Sequence, residues 1–299
     1  MSKPGRHPRG RQHSAPEVVG LHRRRGDTAP CGLCGSSDTP LTKTHIPPQC
    51  AGNDAGVQRH YLLSVTEDGE QKLVRSTKRR RGGLYVYGLC AACNGAAGQW
   101  DSAYKALADA LRPLWVAEAL AIPDNRLTMP DIDIHPSRVA RSVLMGLFGL
   151  NHHLWERHPE LAAALLVGAE GIALPADLRL SLALSRGRSG RLVGPVHTRQ
   201  IFGSPTGRVL ALLTDAAVYF PPLAWQLAAP ASDLLDQQGW VDVGDWLSMP
   251  TTESRNLRRL AASLPLVFEP TQDPALAKTL LHLFSDNITP IVETTGLGL

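Results

Sequence analysis

Four of the five cysteines in this 299-residue sequence form two Cys-x-x-Cys pairs, Cys31 with Cys34 and Cys90 with Cys93. A structural zinc ion takes four soft ligands in a tetrahedron, and two such turns supply two thiolates each. In a reducing cytoplasm, paired knuckles of this kind are metal ligands more often than disulfides. The sequence therefore predicts one structural Zn²⁺ ion. A redox pair and buried free thiols are the alternatives, although neither explains two knuckles.

A histidine and an asparagine have defined places relative to these knuckles. His45 lies in the segment Thr44-His45-Ile46-Pro47-Pro48, and Asn94 directly follows the last cysteine. The interval between the knuckles exceeds the roughly 12–20 residues of many small zinc fingers, so a β-hairpin must be inserted there. A histidine titrates near neutral pH and suits general-base chemistry. An amide oxygen suits a hard cation as one ligand among several.

In this order the residues resemble the zinc-clamped branch of the HNH, or ββα-metal, nucleases. That family has Cys-x-x-Cys, then an acidic residue followed by His-x-x-Pro, then Cys-x-x-Cys-Asn at the start of a helix, and the resemblance covers about residues 31–115. It implies an N-terminal zinc-stapled ββα-metal (HNH, or His-Me finger) domain. It also implies that His45 is the general base and that Asn94 is a ligand of a catalytic Mg²⁺ or another divalent ion, distinct from the zinc.

One position departs from the family pattern. Thr44 stands where the acidic metal ligand is expected, and a threonine does not replace an anion. Asp101 follows Asn94 by seven residues, so the two share a face if a helix begins near the knuckle. Asp101 is therefore the third candidate catalytic residue. The alternatives are a helix-start carboxylate for Asp101, a helix cap for Asn94 and a plain loop histidine for His45.

Positive charge is concentrated at the N-terminal end. The formal net charge is +4, with +8 in residues 1–81 and −4 in residues 82–299, which predicts a polyanionic partner for the N-terminal part. The expected polymer is DNA, with RNA as the alternative. A basic run is interpreted as a phosphate-contacting loop beside the site, with solvated surface as the alternative. The run consists of Lys78, Arg79, Arg80 and Arg81.

The sequence pattern predicts an α+β protein in which a separate α+β domain follows the zinc-stapled domain. The expected organisation is a flexible basic tail over residues 1–29, an HNH-like domain over residues 30–122 and a domain of unassigned role over residues 137–299, with prolines at the boundary. Periodicity and turn residues predict strands at 60–65, 71–75, 178–184, 191–201 and 207–220, and helices at 99–120, 137–150, 160–167, 254–263 and 274–284.

Composition narrows the functional classes. The hydrophobic fraction of 43% and the charged fraction of 19% are typical of a soluble globular protein. The sequence contains neither an apolar stretch of about 18 residues nor a secretory signal, so we expect a cytoplasmic protein without a membrane partner. The other histidines, including His152, His153 and His158, have no ligand spacing and are interpreted as structural or surface residues.

The functional prediction is a metal-dependent HNH endonuclease that hydrolyses DNA phosphodiester bonds. A bacterial nuclease of this size suits restriction, phage defence or mobile DNA. Two alternatives are kept: a zinc-stapled nucleic-acid-binding module that has lost cleavage, as Thr44 suggests, and a protein-interaction scaffold. The sequence pattern makes no prediction of oligomeric state.

Overall fold

The chain has a mixed α and β architecture. The computed structural model describes residues 29–54, 57–65, 71–80, 82–119, 131–186, 189–193, 196–198, 212–230, 239–267 and 290–293. The β-strands are β1 Leu41–His45, β2 Val57–Val65, β3 Gln71–Arg80, β4 Tyr85–Cys90, β5 Asp133–Ile134, β6 Arg179–Ser185, β7 Ser189–Val193, β8 Val196–Thr198, β9 Leu212–Phe220, β10 Leu223–Ala228, β11 Val241–Asp242, β12 Arg255–Asn256, β13 Leu266–Val267 and β14 Pro290–Glu293.

The helices carry much of the buried surface. The α-helices are α1 Ala91–Gly98, α2 Asp101–Ala119, α3 Pro136–Leu150, α4 His153–Arg157, α5 Pro159–Leu166 and α6 Leu257–Ser263, with 3-10 helices at Gln49–Ala51 and Gly244–Ser248. The predicted helices at 99–120, 137–150 and 160–167 are confirmed as α2, α3 and α5, and the helix predicted at 254–263 begins later, as α6. Residues 274–284 and the tail residues 1–28 lie outside the described residues.

The first strand and the first helix meet at the second knuckle. Strand β1 pairs antiparallel with β4, with His45 opposite Tyr85 and Leu41 opposite Cys90. Helix α1 follows β4 directly, and Cys90 is its N-cap residue. The local order is therefore strand, strand, helix, with the β2–β3 hairpin inserted between the strands.

A larger sheet gathers most of the other described strands. Its order is β11-β6-β10-β9-β7-β14-β2-β3, with β13 on β6 and β8 on β9. The predicted hairpin is confirmed as β2 and β3, and β6 and β9 match the strands predicted at 178–184 and 207–220. The strand predicted at 191–201 is divided into β7 and β8.

Helix α3 packs against the knuckles and connects them to the rest of the chain. Pro136 occupies its first turn, where a proline's missing N–H costs nothing. A Cβ at Gly32 would collide with the carbonyl of Phe148, and one at Gly88 with that of Gly149, so the helix backbone touches both the first knuckle and β4. One apolar cluster contains buried residues from both predicted domains.

The predicted boundary between those domains spans residues 123–136, of which 123–130 lie outside the described residues. Within the ranges given above, no helix is both long and apolar enough to cross a membrane.

Candidate functional site

The four paired cysteines meet between the first knuckle turn and the start of α1. The Sγ atoms of Cys31, Cys34, Cys90 and Cys93 all lie within 4.8 Å of one another. Those of Cys34 and Cys90 are 3.9 Å apart. A tetrahedral zinc site with bonds of about 2.3 Å separates its sulfur atoms by roughly 3.8 Å. The cluster can therefore hold a metal ion such as zinc.

The surroundings of this cluster favour ionisation of one thiol, that of Cys31, whereas burial raises the pKa of Cys34. The Cys93 thiol is the main cause that lowers the pKa of Cys31 to about 4; backbone hydrogen bonds add to it and burial opposes it. One of these donors is the backbone N–H of Cys90, 3.3 Å from the Cys31 Sγ. The same thiol contact raises the pKa of Cys93, since adjacent thiols do not ionise independently. The thiolate is the form that binds a metal ion.

A cleft of about 180 Å³ lies along the end of β1. Its walls come from β1, α1, α2 and α3. The polar residues that line it include Lys43, Thr44, His45, Asn94, Asp101 and Ser142. The structure therefore brings the three predicted catalytic residues to one cleft. Asn94 lies on α1, which ends at Gly98, and Asp101 begins α2, so the expectation that the two share one helix face is wrong.

His45 is the last residue of β1 and is half-buried. Its Nε2 lies 2.9 Å from the carbonyl oxygen of Gly82. Because a carbonyl only accepts, Nε2 carries the hydrogen and the neutral ring keeps its lone pair on Nδ1. Burial is the main cause that lowers the pKa of His45 from 6.5; the charge of Lys43 adds to it and the Gly82 carbonyl opposes it. The ring is therefore a neutral base at neutral pH.

Asn94 connects α1 to β1. Its Nδ2 donates to the backbone carbonyl of Lys43 at 3.0 Å. This bond fixes the strand two residues before His45 and leaves the amide oxygen as the end that can bind a cation. The N-cap of α1 is Cys90, so the alternative of Asn94 as that cap is wrong.

Asp101 begins α2, and Ser142 of α3 donates to its Oδ1 at 3.3 Å. Burial raises the pKa of Asp101 to about 6, and the hydrogen bond from Ser142 opposes that rise. Asp101 also lies in the first turn of its helix, where a carboxylate interacts favourably with the helix dipole. The alternative of a helix-start carboxylate therefore applies to Asp101 together with its position in the cleft. The carboxylate is held where its charge is disfavoured, and a bound cation would offset that cost.

Thr44 adds a buried oxygen to the same cleft. The residue is 3% exposed, and its Oγ1 has no hydrogen-bond partner among the described residues. Buried hydroxyls are normally paired. Thr44, Asn94 and Asp101 line the same cleft, and hydroxyl, amide and carboxylate oxygens form a donor set of the kind that hard cations prefer. The set fits a divalent ion in chemical type, with Asp101 as its anion.

Three residues of the site were not predicted from the sequence: Ser142, Gly82 and Lys43. Ser142 and Gly82 contact Asp101 and His45 across 41 and 37 residues of chain, and no local pattern indicates such pairs. Lys43 is different, because it precedes His45 by two residues and a strand would place both on one face. Its Nζ lies 4.8 Å from the centroid of the Tyr85 ring.

The basic run belongs to a strand and not to a loop. Lys78, Arg79 and Arg80 end β3, where Arg79 and Arg80 pair with residues of β2. The strand is longer than the predicted 71–75 because β2 provides a partner along that length. Arg81 lies outside the described residues. Gly82, the partner of His45, follows the run directly, and phosphate contact by the run stays a prediction.

A second cluster of potential ligands lies at the start of α4. His152, His153 and Glu156 place their ligand atoms within 4.8 Å of one another. His153 Nδ1 is 2.8 Å from Glu156 Oε2, and both side chains are about half exposed. The sequence spacing gave no reason to group these residues. A measurement of bound metal per chain must therefore distinguish an ion at this exposed group from an ion at the cysteine cluster.

Comparisons with models of protein families, with curated proteins and with solved structures find no match for this chain. The features that indicate a function are therefore the geometry of the cysteine cluster and that of the cleft.

Proposed function

We propose that this protein is a metal-dependent HNH endonuclease that hydrolyses phosphodiester bonds of DNA. The observation that carries the proposal is the orientation of His45, whose Nε2 donates to Gly82 in a cleft that also holds Asn94 and Asp101. A fixed tautomer with an available Nδ1 and a lowered pKa is what a general base needs at neutral pH.

The local architecture supports a ββα-metal domain. Strand β1 ends at His45, β4 pairs with β1, and α1 follows β4 and carries Asn94. The hydrogen bond from Asn94 to Lys43 joins this helix to the strand of His45. We assign the cysteine cluster a structural zinc ion, because four thiolates leave no open position for a substrate.

A catalytic Mg²⁺ or another divalent ion would be held by Asp101, Asn94 and Thr44. When bound, such an ion stabilises the negative charge of the phosphate and of the departing 3′ oxygen. Asp101 is the anion of this donor set, so the affinity for the ion depends mainly on its carboxylate. Ser142 orients that carboxylate through its hydrogen bond.

His45 carries out the proton transfer. A water molecule at its Nδ1 gives up a proton to that nitrogen while the water oxygen bonds to phosphorus. The bond from phosphorus to the 3′ oxygen breaks, and that oxygen takes a proton from solvent. The products are a 5′ phosphate and a 3′ hydroxyl. The lowered pKa of His45 then favours release of its proton to solvent.

Plasmid cleavage with a panel of divalent ions tests the proposal. We expect His45→Ala to slow cleavage by about 10²–10⁴-fold, since a general base contributes that much. Zinc content and melting temperature should stay near wild type. His153→Ala is the matched control, because that histidine is exposed and lies outside the cleft. If His45→Ala cuts as fast as wild type, His45 is not the base.

The second candidate function is a zinc-stapled module that binds nucleic acid without cutting it. The observation that favours it is the donor set, in which Thr44 replaces an acidic residue and the remaining carboxylate has a raised pKa. Under this alternative, wild-type protein shifts DNA in a gel and leaves it intact with every ion. A scaffold that binds only protein would do neither.

A further inference from the structure

One face of strand β1 carries, next to His45, a lysine of the cleft that the proposed proton transfer does not use. Lys43 and His45 are alternate residues of an extended strand and share one side of it. In the antiparallel pairing, Lys43 lies opposite Tyr87 and His45 opposite Tyr85, so the four side chains belong to one face. We call these four residues the outer face.

The ammonium group of Lys43 is held in place on this face. Its Nζ lies 4.8 Å from the centroid of the Tyr85 ring, within the range of a cation–π interaction. The Tyr85 ring packs edge-on against His45 and Tyr87, with centroid distances of 5.7 and 5.8 Å. The backbone of Lys43 accepts a hydrogen bond from Asn94. A side chain restrained in this way loses less conformational entropy when it binds a ligand.

The charge of Lys43 is also available. Within the described part of the chain Lys43 forms no ion pair, whereas the similarly exposed Lys105 pairs with Asp109. Among the described residues that line the cleft, Lys43 is the only lysine or arginine. A restrained, unneutralised cation at the edge of a cleft is suited to bind an anion.

We infer that Lys43 forms a phosphate subsite that binds the phosphodiester next to the one positioned at His45. The Lys43 Nζ and the centroid of the His45 ring lie 4.8 and 5.7 Å from the centroid of the same Tyr85 ring, so the ammonium group is close to the proposed base. When one phosphate lies at His45, the phosphate next to it is therefore within reach of Lys43. A contact of this kind positions the polymer and does not select its sequence.

The inference takes the identity of the polymer from the proposed function, but binding at Lys43 needs only a phosphodiester backbone. The test is therefore a binding measurement without added divalent ions, so that it does not depend on cleavage. Fluorescence anisotropy with a short labelled DNA duplex is recorded over a range of salt concentrations. A gel of the probe afterwards checks that it is intact.

The comparison uses Lys43→Gln, Lys43→Arg and Lys105→Gln beside the wild type. Lys43→Gln and Lys105→Gln remove the same charge, but only Lys43 lines the cleft. We expect Lys43→Gln to weaken binding roughly threefold to tenfold and to reduce the slope of log K against log salt by about 0.9, the value for one lost phosphate contact. Lys43→Arg should retain most of the affinity, and Lys105→Gln should change the slope by less than about half as much.

Equal slope changes for Lys43→Gln and Lys105→Gln would overturn the inference, because the effect of Lys43 would then be that of net charge alone. An unchanged slope for Lys43→Gln would overturn it as well. Circular dichroism and zinc content of each variant verify that the fold is intact. If wild-type protein cuts no DNA but the two lysines differ as expected, the subsite stands and the proposed nuclease function fails. If wild-type protein cuts DNA and the lysines behave alike, only the subsite fails.

Discussion

The cysteine cluster and the His45 cleft both include residues of helix α1, which carries Cys93 and Asn94, but the polar groups of the two sites have different surroundings. Around the thiols, a backbone N–H donates to the Cys31 Sγ and α3 closes over Gly32 and Gly88. In the cleft, the Thr44 hydroxyl has no hydrogen-bond partner among the described residues, and burial disfavours the charge of Asp101.

This difference indicates which site stabilises the fold and which one is maintained at some cost to it. Groups that bind a metal permanently contribute folding free energy, because the unfolded chain has no preformed site. Groups arranged for a reaction are often left strained or poorly solvated until a ligand arrives. Substitutions at the thiols should therefore destabilise the protein, whereas substitutions that remove a charge or a base from the cleft should cost activity and leave stability unchanged or higher.

The largest effect is expected at the thiols. Cys90→Ser removes one of the four proposed zinc ligands, and zinc binding in comparable small sites is worth about 10–16 kcal/mol. We expect loss of the bound zinc and of cooperative unfolding in the N-terminal part. Elemental analysis after dialysis and thermal unfolding measure both. Cys50→Ser is the control, since Cys50 is exposed and lies outside the cluster. Zinc at one equivalent in folded Cys90→Ser protein would contradict the assignment.

The next largest effect is expected at Asp101, in opposite directions for activity and stability. Asp101→Asn removes the anion of the donor set, so cleavage should stop or require a much higher concentration of divalent ion. The folded-state pKa of Asp101 is raised from 3.8 to about 6, so this carboxyl lowers the stability progressively as the pH rises between these two values, and its full cost is present above about pH 6. Relative to wild type, the variant should therefore gain more in melting temperature at about pH 8 than at about pH 5.

Thr44→Asp extends the same comparison. It introduces the acidic residue of the HNH pattern at a position that is 3% exposed, where an unpaired carboxylate is unfavourable. We expect a lower melting temperature than wild type without divalent ions and a recovery when Mn²⁺ or Mg²⁺ is added. Combined with Asp101→Asn, it should partly rescue cleavage. If cleavage by the Asp101→Asn variant depends on the metal concentration in the same way as cleavage by wild type, the ion is held elsewhere. An inactive wild type that gains activity through Thr44→Asp would identify a binding module that has lost cleavage.

A smaller effect is expected from pH. His45 acts as a base only when neutral, and burial lowers its pKa from 6.5, so its protonation should reduce kcat/KM only below that pH. Asp101, with a pKa of about 6, should add a second loss on acidification. A divalent ion competes with the proton on Asp101 but not on His45. Raising the Mn²⁺ concentration should therefore shift the loss caused by protonation of Asp101 to lower pH. The loss caused by protonation of His45 should stay at the same pH.

The smallest effect is expected from the basic strand end. Arg79→Ala with Arg80→Ala should weaken DNA binding similarly for all sequences and reduce the salt slope by roughly one unit per lost contact. Arg258→Ala with Arg259→Ala is the matched control, because both residues are exposed on α6. Equal slopes for the two pairs would mean that Arg79 and Arg80 are solvated surface. Deletion of residues 1–29 tests the tail in the same assay.

Much of the candidate site was predictable because its signals are local. Two Cys-x-x-Cys turns, a histidine between them and an asparagine after the last cysteine are patterns of type and spacing, and the cysteines do meet. The apolar periodicity of α2 and the proline at the start of α3 likewise mark those helices. The predicted length of strand β3 was too short. The strand continues through the charged run because it pairs with β2, and charged residues by themselves do not indicate a strand.

By itself, the sequence determined which residues can act as ligands or as a base, because residue type and spacing are properties of neighbouring positions. Only the tertiary structure decided their chemical state. The Gly82 carbonyl sets the tautomer of His45, and Ser142, 41 residues from Asp101, orients that carboxylate. Burial then shifts the pKa of His45 down and that of Asp101 up. Desolvation and hydrogen-bond partners come from segments distant in the chain, so no local pattern encodes them.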